Sequence, residues 1–367
     1  MVGKVNELLR VEHLTKLFPL DRRSAIYAVN DVSFSIGRGE TLGLVGESGS
    51  GKTTVGRCIL RLIEPDSGKI VFDGQEITAL GDETLRSMRH RMSLVFQDPY
   101  TSLNPMRTVQ QTAEEPLLIE GQLGSEAREE RTLETLEAVR LGRRYLSRYP
   151  GELTASEQQR LAIARALVTH PALVVVDEAT STLDARARAA ILDVLIGLQR
   201  DLGVSYLYIS HDLTAVERIS HRVAIMYLGR IVEVASTEVI FSKQLHPYSR
   251  ALLSAVLFPD PARKLEPFHL AGEIPSAINP PAECPLVGRC PFVLPECRTA
   301  VPPLVELEPA HLTACIRSGE FVAGGVPASQ EEARQEPPAR PGHISQPNDQ
   351  DVRQPWPLGG PGPMVDA

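Results

Sequence analysis

Residues Gly46 to Thr53 read Gly-Glu-Ser-Gly-Ser-Gly-Lys-Thr, a run in which each residue type has a chemical use. The glycines let the backbone curl so that successive N–H groups point inward at a β-phosphate. Lys52 reaches the β- and γ-phosphates, and the Thr53 hydroxyl can ligand Mg²⁺. Gly46, Glu47, Ser48, Gly49, Ser50, Gly51, Lys52, Thr53 and Thr54 are therefore the candidate nucleotide-binding set. Farther along, Asp177 and Glu178 stand side by side: one carboxylate to hold Mg²⁺ through water, the other to orient and polarise an attacking water. Gln97 adds an amide able to contact Mg²⁺ and that water, and His211 adds an imidazole able to hydrogen-bond a γ-phosphate. Together these groups fit phosphoryl transfer to water.

A second constellation lies near the other end. Four of the five cysteines, Cys284, Cys290, Cys297 and Cys315, are spaced C-x5-C-x6-C with a distant fourth. In a reducing compartment such clustering points to metal or cluster ligation before disulfides, and four thiolates suit an iron–sulfur cluster or Zn²⁺. The spacing lacks the C-x2-C of zinc ribbons.

Each of these groups needs an element to aim it. Leu42 to Val45 is a short apolar run that reads as a buried strand ahead of the glycine loop. The helix expected next carries Val55, Cys58, Ile59, Leu62 and Ile63 as an apolar stripe, with Cys58 a core residue. Met92 to Phe96, Leu173 to Asp177 and Val204 to Ile209 are further apolar strands, ending at Gln97, Glu178 and His211. Strand ends in an α/β sheet point into the ligand crevice, so all of these groups converge. Val32, Phe34 and Ile36 alternate with Ser33 and Ser35 as a half-buried strand, and Gly68 to Ile77 reads as strand, Asp73-Gly74 turn, and strand. From Thr108 to Arg144 the pattern is helical and charged, an insert on the sheet. Leu153-Thr154-Ala155-Ser156-Glu157 precedes an alanine-rich helix that Thr154 or Ser156 can cap, and an uncovered helix N-terminus is an anion site. Phe18 is a candidate to stack on adenine.

The 367 residues suffice for about two domains, and 43% hydrophobic residues can fill a core. A net charge of −8 without a basic run disfavours a broad nucleic-acid surface. No signal peptide is found, nor an apolar run approaching the roughly 20 residues that span a bilayer. A cytoplasmic chain is expected, with any membrane role supplied by a partner. From about Glu320 the sequence is rich in Pro, Gly, Gln and charge and is expected to be disordered, the lone Trp356 within it.

The glycine loop, Gln97, Asp177-Glu178, Ser181-Thr182-Leu183-Asp184 and His211 occur in an order that makes residues 8 to about 260 resemble an ABC-transporter ATPase subunit. The resemblance implies a P-loop NTPase of the α/β class. Its mixed sheet core would carry an antiparallel β subdomain, a helical subdomain at about 100–168, and a small C-terminal extension. It implies ATP hydrolysis to ADP and phosphate between two subunits closed head to tail, ATP lying between one subunit's P-loop and the other's signature motif. Thr154 and Ser156 would serve that signature, Asp184's loop would act across the dimer, Gln97's loop would face a membrane partner, and Phe18 would meet adenine. Val95-Phe96-Gln97-Asp98-Pro99-Tyr100, Ser102-Leu103-Asn104-Pro105, His246-Pro247-Tyr248 and the cysteine block look like the oligopeptide/dipeptide and nickel importers. That resemblance implies two transmembrane permease subunits, a second ATPase subunit, indirectly an extracytoplasmic solute-binding protein, and no nucleic acid. The chain would sit peripherally at the cytoplasmic face of the cell membrane. Several such subunits hold a [4Fe-4S] cluster at cysteines of this kind. The domain boundaries expected are 1–260 for the ATPase, 261–320 for the extension and 321–367 for the tail.

One motif departs from the family. The signature should read Leu-Ser-Gly-Gly-Gln; here Ala155 and Ser156 put side chains where backbone must approach the γ-phosphate, and Glu157 adds an anion beside another. An asymmetric heterodimer is therefore expected, in which this chain hydrolyses ATP against a partner's intact signature. The rivals are a soluble ABC-type ATPase acting on nucleic acid or ribosomes, and a regulatory nucleotide-binding subunit with little turnover.

Overall fold

The computed structural model describes residues 7–255 and 268–322. The boundary expected at 260 lies outside the described residues, as does the tail beyond the short helix that holds Phe321 and Val322, with Trp356 in it.

Strands β1 (Glu7–Pro19) and β2 (Ala25–Gly37) form a hairpin, its turn held by Asp21, whose carboxylate accepts the N–H groups of Arg23 and Ser24. Strand β3 (Thr41–Val45) is buried at every residue, as a strand covered on both faces must be, and feeds the glycine loop and helix α1 (Lys52–Ile59). Strands β4 (Ser67–Phe72) and β5 (Gln75–Glu76) return to the hairpin and complete a four-stranded antiparallel sheet in the order β2-β1-β4-β5. Helix α2 (Asp82–Met88) then leads to β6 (Met92–Val95).

Helix α3 (Pro99–Ser102) precedes the charged insert, which is helical as its pattern predicts, α4 (Val109–Glu120) and α5 (Ser125–Ala138), and α6 (Ala155–Leu167) follows it. Thr108 starts α4 with a capping box to Gln111, two donors satisfied reciprocally. The chain continues through β7 (Leu173–Asp177), α7 (Ala185–Leu202), β8 (Ser205–Ile209), α8 (Leu213–Ile219), β9 (Arg222–Tyr227), β10 (Arg230–Ser236), α9 (Thr237–Ser242) and α10 (Pro247–Ser254). After the undescribed stretch come β11 (Val305–Glu308), β12 (His311–Thr313) and α11 (Ser318–Val322).

A second sheet of eight strands runs β11-β12-β10-β9-β3-β8-β7-β6. The run from β9 through β3, β8 and β7 to β6 is parallel, and β10 joins it antiparallel. Because β3, β8, β7 and β6 are neighbours with one polarity, the residues that follow them emerge along the same sheet edge. Among the described residues no helix is long and apolar enough to cross a membrane.

The cysteine-bearing extension is continuous with this sheet. β12 pairs with β10 through Glu233 opposite Thr313 and Val234 opposite Leu312. Glu233, with no exposed surface, accepts hydrogen bonds from the N–H groups of Leu245 (2.6 Å) and His246 (3.2 Å), and its Oε1 lies 2.7 Å from His311 Nε2. A buried carboxylate needs such partners, and here it ties β10, the start of α10 and β12 together. A second tie joins the extension to the antiparallel sheet: Tyr27 N–H donates to Ala277 O at 2.9 Å, and Ala25 N–H to the Asn279 side chain at 3.0 Å.

Candidate functional site

The glycine loop is shaped by close backbone approaches. A Cβ on Gly51 would lie 1.9 Å from the Ala28 carbonyl oxygen, and φ of +99° there is a conformation that side chains disfavour. A Cβ on Gly46 would lie 2.1 Å from the Met226 carbonyl oxygen. Both glycines are thus required by contact with neighbouring strands. Ser48 and Gly49 form the exposed lip of the loop, Ser50 is buried beneath it, and Thr54 is half-buried on the first turn of α1.

Lys52 is buried, and its Nζ donates to the carbonyls of Gly46 (2.8 Å) and Glu47 (2.9 Å). Burial pulls its pKa down, with Glu178, Asp177 and Glu47 opposing. The Thr53 hydroxyl donates to Asp177 Oδ1 at 3.0 Å. Burial pushes the Asp177 carboxyl above its ordinary range, the Thr53 hydrogen bond working against it. An alcohol and a carboxylate side by side, with Glu178 adding negative charge, form an oxygen donor set suited to Mg²⁺.

Glu178 follows the end of β7 with φ of +47°, an uncommon conformation for a side-chain-bearing residue. Its N–H donates to Ile209 O (2.9 Å), and its own carbonyl accepts from Ser181 N–H (3.1 Å) and the Ser181 hydroxyl (2.9 Å). Those bonds hold the backbone so that the carboxylate faces the cradle. One oxygen accepts from Gln97 Nε2 at 3.0 Å, and the other lies 3.4 Å from His211 Nδ1. The three strand ends flagged in the sequence therefore meet at one carboxylate, with Thr53 and Lys52 beside them.

Other predicted residues stand apart from that cluster. Phe18 lies near the end of β1, opposite Ile26, 38% exposed as a residue, with Lys16 Nζ 5.6 Å from its ring centroid. Asp184 caps α7 by accepting the Ala187 N–H at 2.8 Å. Thr154 caps α6, while Ser156 lies in its first turn without capping it. Neither Thr154 nor Ser156 hydrogen-bonds the glycine loop among the described residues.

The N-terminus of α6 is closed by its own acid. Glu157 accepts from Thr154 N–H (2.9 Å), the Thr154 hydroxyl (2.9 Å) and the Tyr145 hydroxyl (2.6 Å). The Tyr145 hydrogen bond, against the cost of burial, holds its carboxyl below the usual range. The expected anion site thus has a carboxylate beside it.

Two connections had no signal in the sequence. Arg188 pairs with Asp212, joining the helix after Asp184 to the residue after His211. Glu47 is bonded by Tyr248 and Arg289, residues 201 and 242 positions away. The His246-Pro247-Tyr248 triplet stood out in the sequence, but nothing in it pointed at the loop.

The four cysteines line a single small cavity of about 20 Å³, with His246 and Arg317 also on its wall. All five cysteines of the chain are free. Burial first, then one another's charge, pushes Cys290 up to about 11 and Cys315 up to about 12. Backbone N–H groups of Phe292 and Leu294 point at the sulfurs of Cys290 and Cys297, each at 3.4 Å. Among the described residues no group of three or more His, Cys, Asp or Glu is disposed to hold a metal ion.

Comparison with known proteins agrees with this geometry. Residues 29–181 match the family described as ABC transporter, and residues 232–297 match the oligopeptide/dipeptide transporter C-terminal region. A probable peptide ABC transporter ATP-binding protein of Sinorhizobium fredii is 45% identical over 314 residues, covering 84% of this chain and 89% of that protein. A putative peptide import ATP-binding protein of Brucella ovis is 46% identical over 311 residues, covering 84% and 98%. The oligopeptide transport ATP-binding protein AppF of Bacillus subtilis is 40% identical over 319 residues, covering 84% and 96%. Among solved structures, the ATP-binding cassette MJ0796, a dimer in a post-hydrolysis state with ADP and Pi, superposes with a TM-score of 0.58 at 29% identity. It covers 63% of this chain and 99% of that one.

Proposed function

The chain belongs to the family of ABC transporter ATP-binding subunits, ATPases of the kind found with an oligopeptide/dipeptide C-terminal region, and from that premise we propose what it energises and how. It drives uptake of oligopeptides, dipeptides or a similar small solute through two membrane permeases, at the cytoplasmic face of the membrane, fed by an extracytoplasmic binding protein. The observation that carries the catalytic part is the meeting of Gln97 and His211 at Glu178, beside the Thr53–Asp177 pair.

Lys52 exchanges its loop carbonyls for β- and γ-phosphate oxygens as ATP enters. Thr53 and Asp177, with Gln97 nearby, would hold Mg²⁺, which when bound would neutralise phosphate charge. Glu178 orients the attacking water and polarises it. Gln97 and His211 fix that carboxylate and read whether a γ-phosphate is present. Dimer closure then passes to the permeases as a conformational change.

We further propose that the partner is a different ATPase subunit. The Glu157 carboxylate is pinned at the start of α6, where a neighbour's phosphate would have to approach, a like-charge contact of about 1 kcal/mol or more. An intact signature must then come from the other subunit. Recovery of this chain from gently solubilised native membranes tests the whole reading. Two permeases and a second ATPase with an intact signature are expected; recovery with ribosomes or DNA, or without membrane subunits, would leave the ATPase and remove the transporter.

For the cysteines we propose a [4Fe-4S] cluster. The four thiols share one cavity, with N–H groups directed at two sulfurs, as a cluster held by four cysteines would need; the cavity is about 20 Å³ as it stands and would have to open to admit one. Iron and sulfide are expected to co-purify anaerobically and to disappear in Cys290→Ser. Stoichiometric zinc in their place would reject the cluster.

A further inference from the structure

The four-cysteine module touches the phosphate loop through one arginine. Arg289 lies in the turn between Cys284 and Cys290, and that turn is closed by its own backbone. Val287 N–H donates to Cys284 O, the N–H groups of Arg289 and Cys290 donate to Leu286 O, and Cys284 N–H donates to Cys297 O, all within 2.8–3.0 Å. Leu286 is buried in the main core and anchors the turn. The guanidinium is therefore carried on a fixed base.

It is aimed at Glu47, the second residue of the loop. Arg289 Nη1 lies 3.3 and 3.5 Å from the two Glu47 carboxylate oxygens, and the guanidinium carbon lies 5.9 Å from the centroid of the Tyr227 ring. Tyr227 packs on Tyr248 with 4.5 Å between ring centroids, and the Tyr248 hydroxyl accepts the Glu47 N–H at 3.0 Å. The Glu47 carbonyl in turn accepts from Lys52 Nζ. All three polar groups of Glu47 are thus engaged, two of them by side chains from the C-terminal third of the chain. The Arg289 side chain is only 12% exposed, so the pair is shielded better than an ordinary surface ion pair.

We propose that Arg289 is a positioning residue for the phosphate loop. By holding Glu47 at both its N–H and its carboxylate, the C-terminal residues fix the backbone of the phosphate loop in its curled form, so the cysteine turn sets how tightly Mg·ATP binds and leaves the chemical step alone. The inference rests on the nucleotide-binding reading of the loop, and on neither the transported solute nor the contents of the cysteine cavity. Its geometric basis is that an arginine beside one proposed cluster ligand is the ion-pair partner of the ATP loop.

Binding of Mg²⁺ with a trinitrophenyl-labelled ATP to the purified full-length chain tests it. Arg289→Ala is expected to raise the dissociation constant about three- to tenfold, and Arg289→Lys less, since it keeps charge without the planar fork. Glu47→Ala is expected to weaken binding similarly, and the double variant no more than either single one. In the assembled transporter KM for ATP is expected to rise by the same factor with kcat within about twofold. If Arg289→Ala does not fold, Arg289→Lys with Glu47→Gln reads the same coupling. Unchanged affinity in a folded Arg289 variant, or losses that multiply in the double variant, would overturn the proposal. Failure of the unaltered chain to bind the analogue would instead overturn the nucleotide reading beneath it.

Discussion

Glu178→Gln, placed in the assembled transporter, is expected to lower ATP turnover by about 10²- to 10⁴-fold while Mg·ATP still binds. The change removes a charge and almost no volume. A glutamine oxygen can still accept from Gln97 Nε2, and the bonds from the Glu178 backbone to Ile209 and Ser181 do not depend on the side chain. What disappears is the negative oxygen that polarises water. Retained binding is equally a consequence, because the groups that face the phosphates, Lys52 and Thr53, are untouched. On the proposed asymmetric arrangement, in which the Glu157 carboxylate at the start of α6 weakens this chain's signature, the same change in the partner ATPase is expected to cost little. Equal losses from the two changes, followed as phosphate release, would reject the asymmetric arrangement. Loss of binding along with turnover would mean that Glu178 shapes the loop and does not act on water.

Glu233→Ala is expected to destabilise the fold by about 3–5 kcal/mol in urea unfolding. Two backbone N–H groups and one imidazole nitrogen converge on this buried carboxylate, and an alanine leaves all three without their acceptor. Glu233→Gln keeps one carbonyl oxygen and is expected to lose less. His311→Ala is expected to fall between, because it spares the bonds to Leu245 and His246. A Glu233→Ala variant within about 1 kcal/mol of the parent would mean that the extension is held without this carboxylate, by the β10–β12 pairing and the bonds to Ala277 and Asn279.

The convergence of side chains on Glu178 was legible in the sequence for a physical reason. A P-loop, an adjacent pair of carboxylates and two strand-end polar residues are each local, and a parallel sheet brings strand ends together with no further instruction. Buried strands such as Leu173 to Val176 announce themselves as unbroken apolar runs. The cap of α6 was legible too, with Thr154 correctly a candidate, but the destination of Glu157 was not: Tyr145 comes from a preceding loop, and only folding sets it 2.6 Å away. Glu233 illustrates the general limit. It sits in Ile231-Val232-Glu233-Val234, where a charge in an apolar strand reads as a solvent-facing residue, and its partner His311 lies 78 positions on. The extension, read as an appendage, supplies the sheet's outermost strands, because a strand of three residues such as β12 is too short to show a period.

The central place of β3 has a further consequence, for biosynthesis. Its two neighbours, β8 and β9, are encoded at least 160 residues later, since β3 ends at Val45 and β8 begins at Ser205. At a translation rate of about 5–20 residues per second, the nascent strand waits roughly 8–30 s for a partner. Through that interval five residues destined for complete burial stay exposed to chaperones, or to other ribosome-bound chains. Nucleotide cannot shorten the wait, because a ligand stabilises only a site that already exists. The strand that feeds the glycine loop, made among the first, is therefore among the last to acquire its neighbours, and until β9 has left the ribosome it depends on protection of the emerging chain.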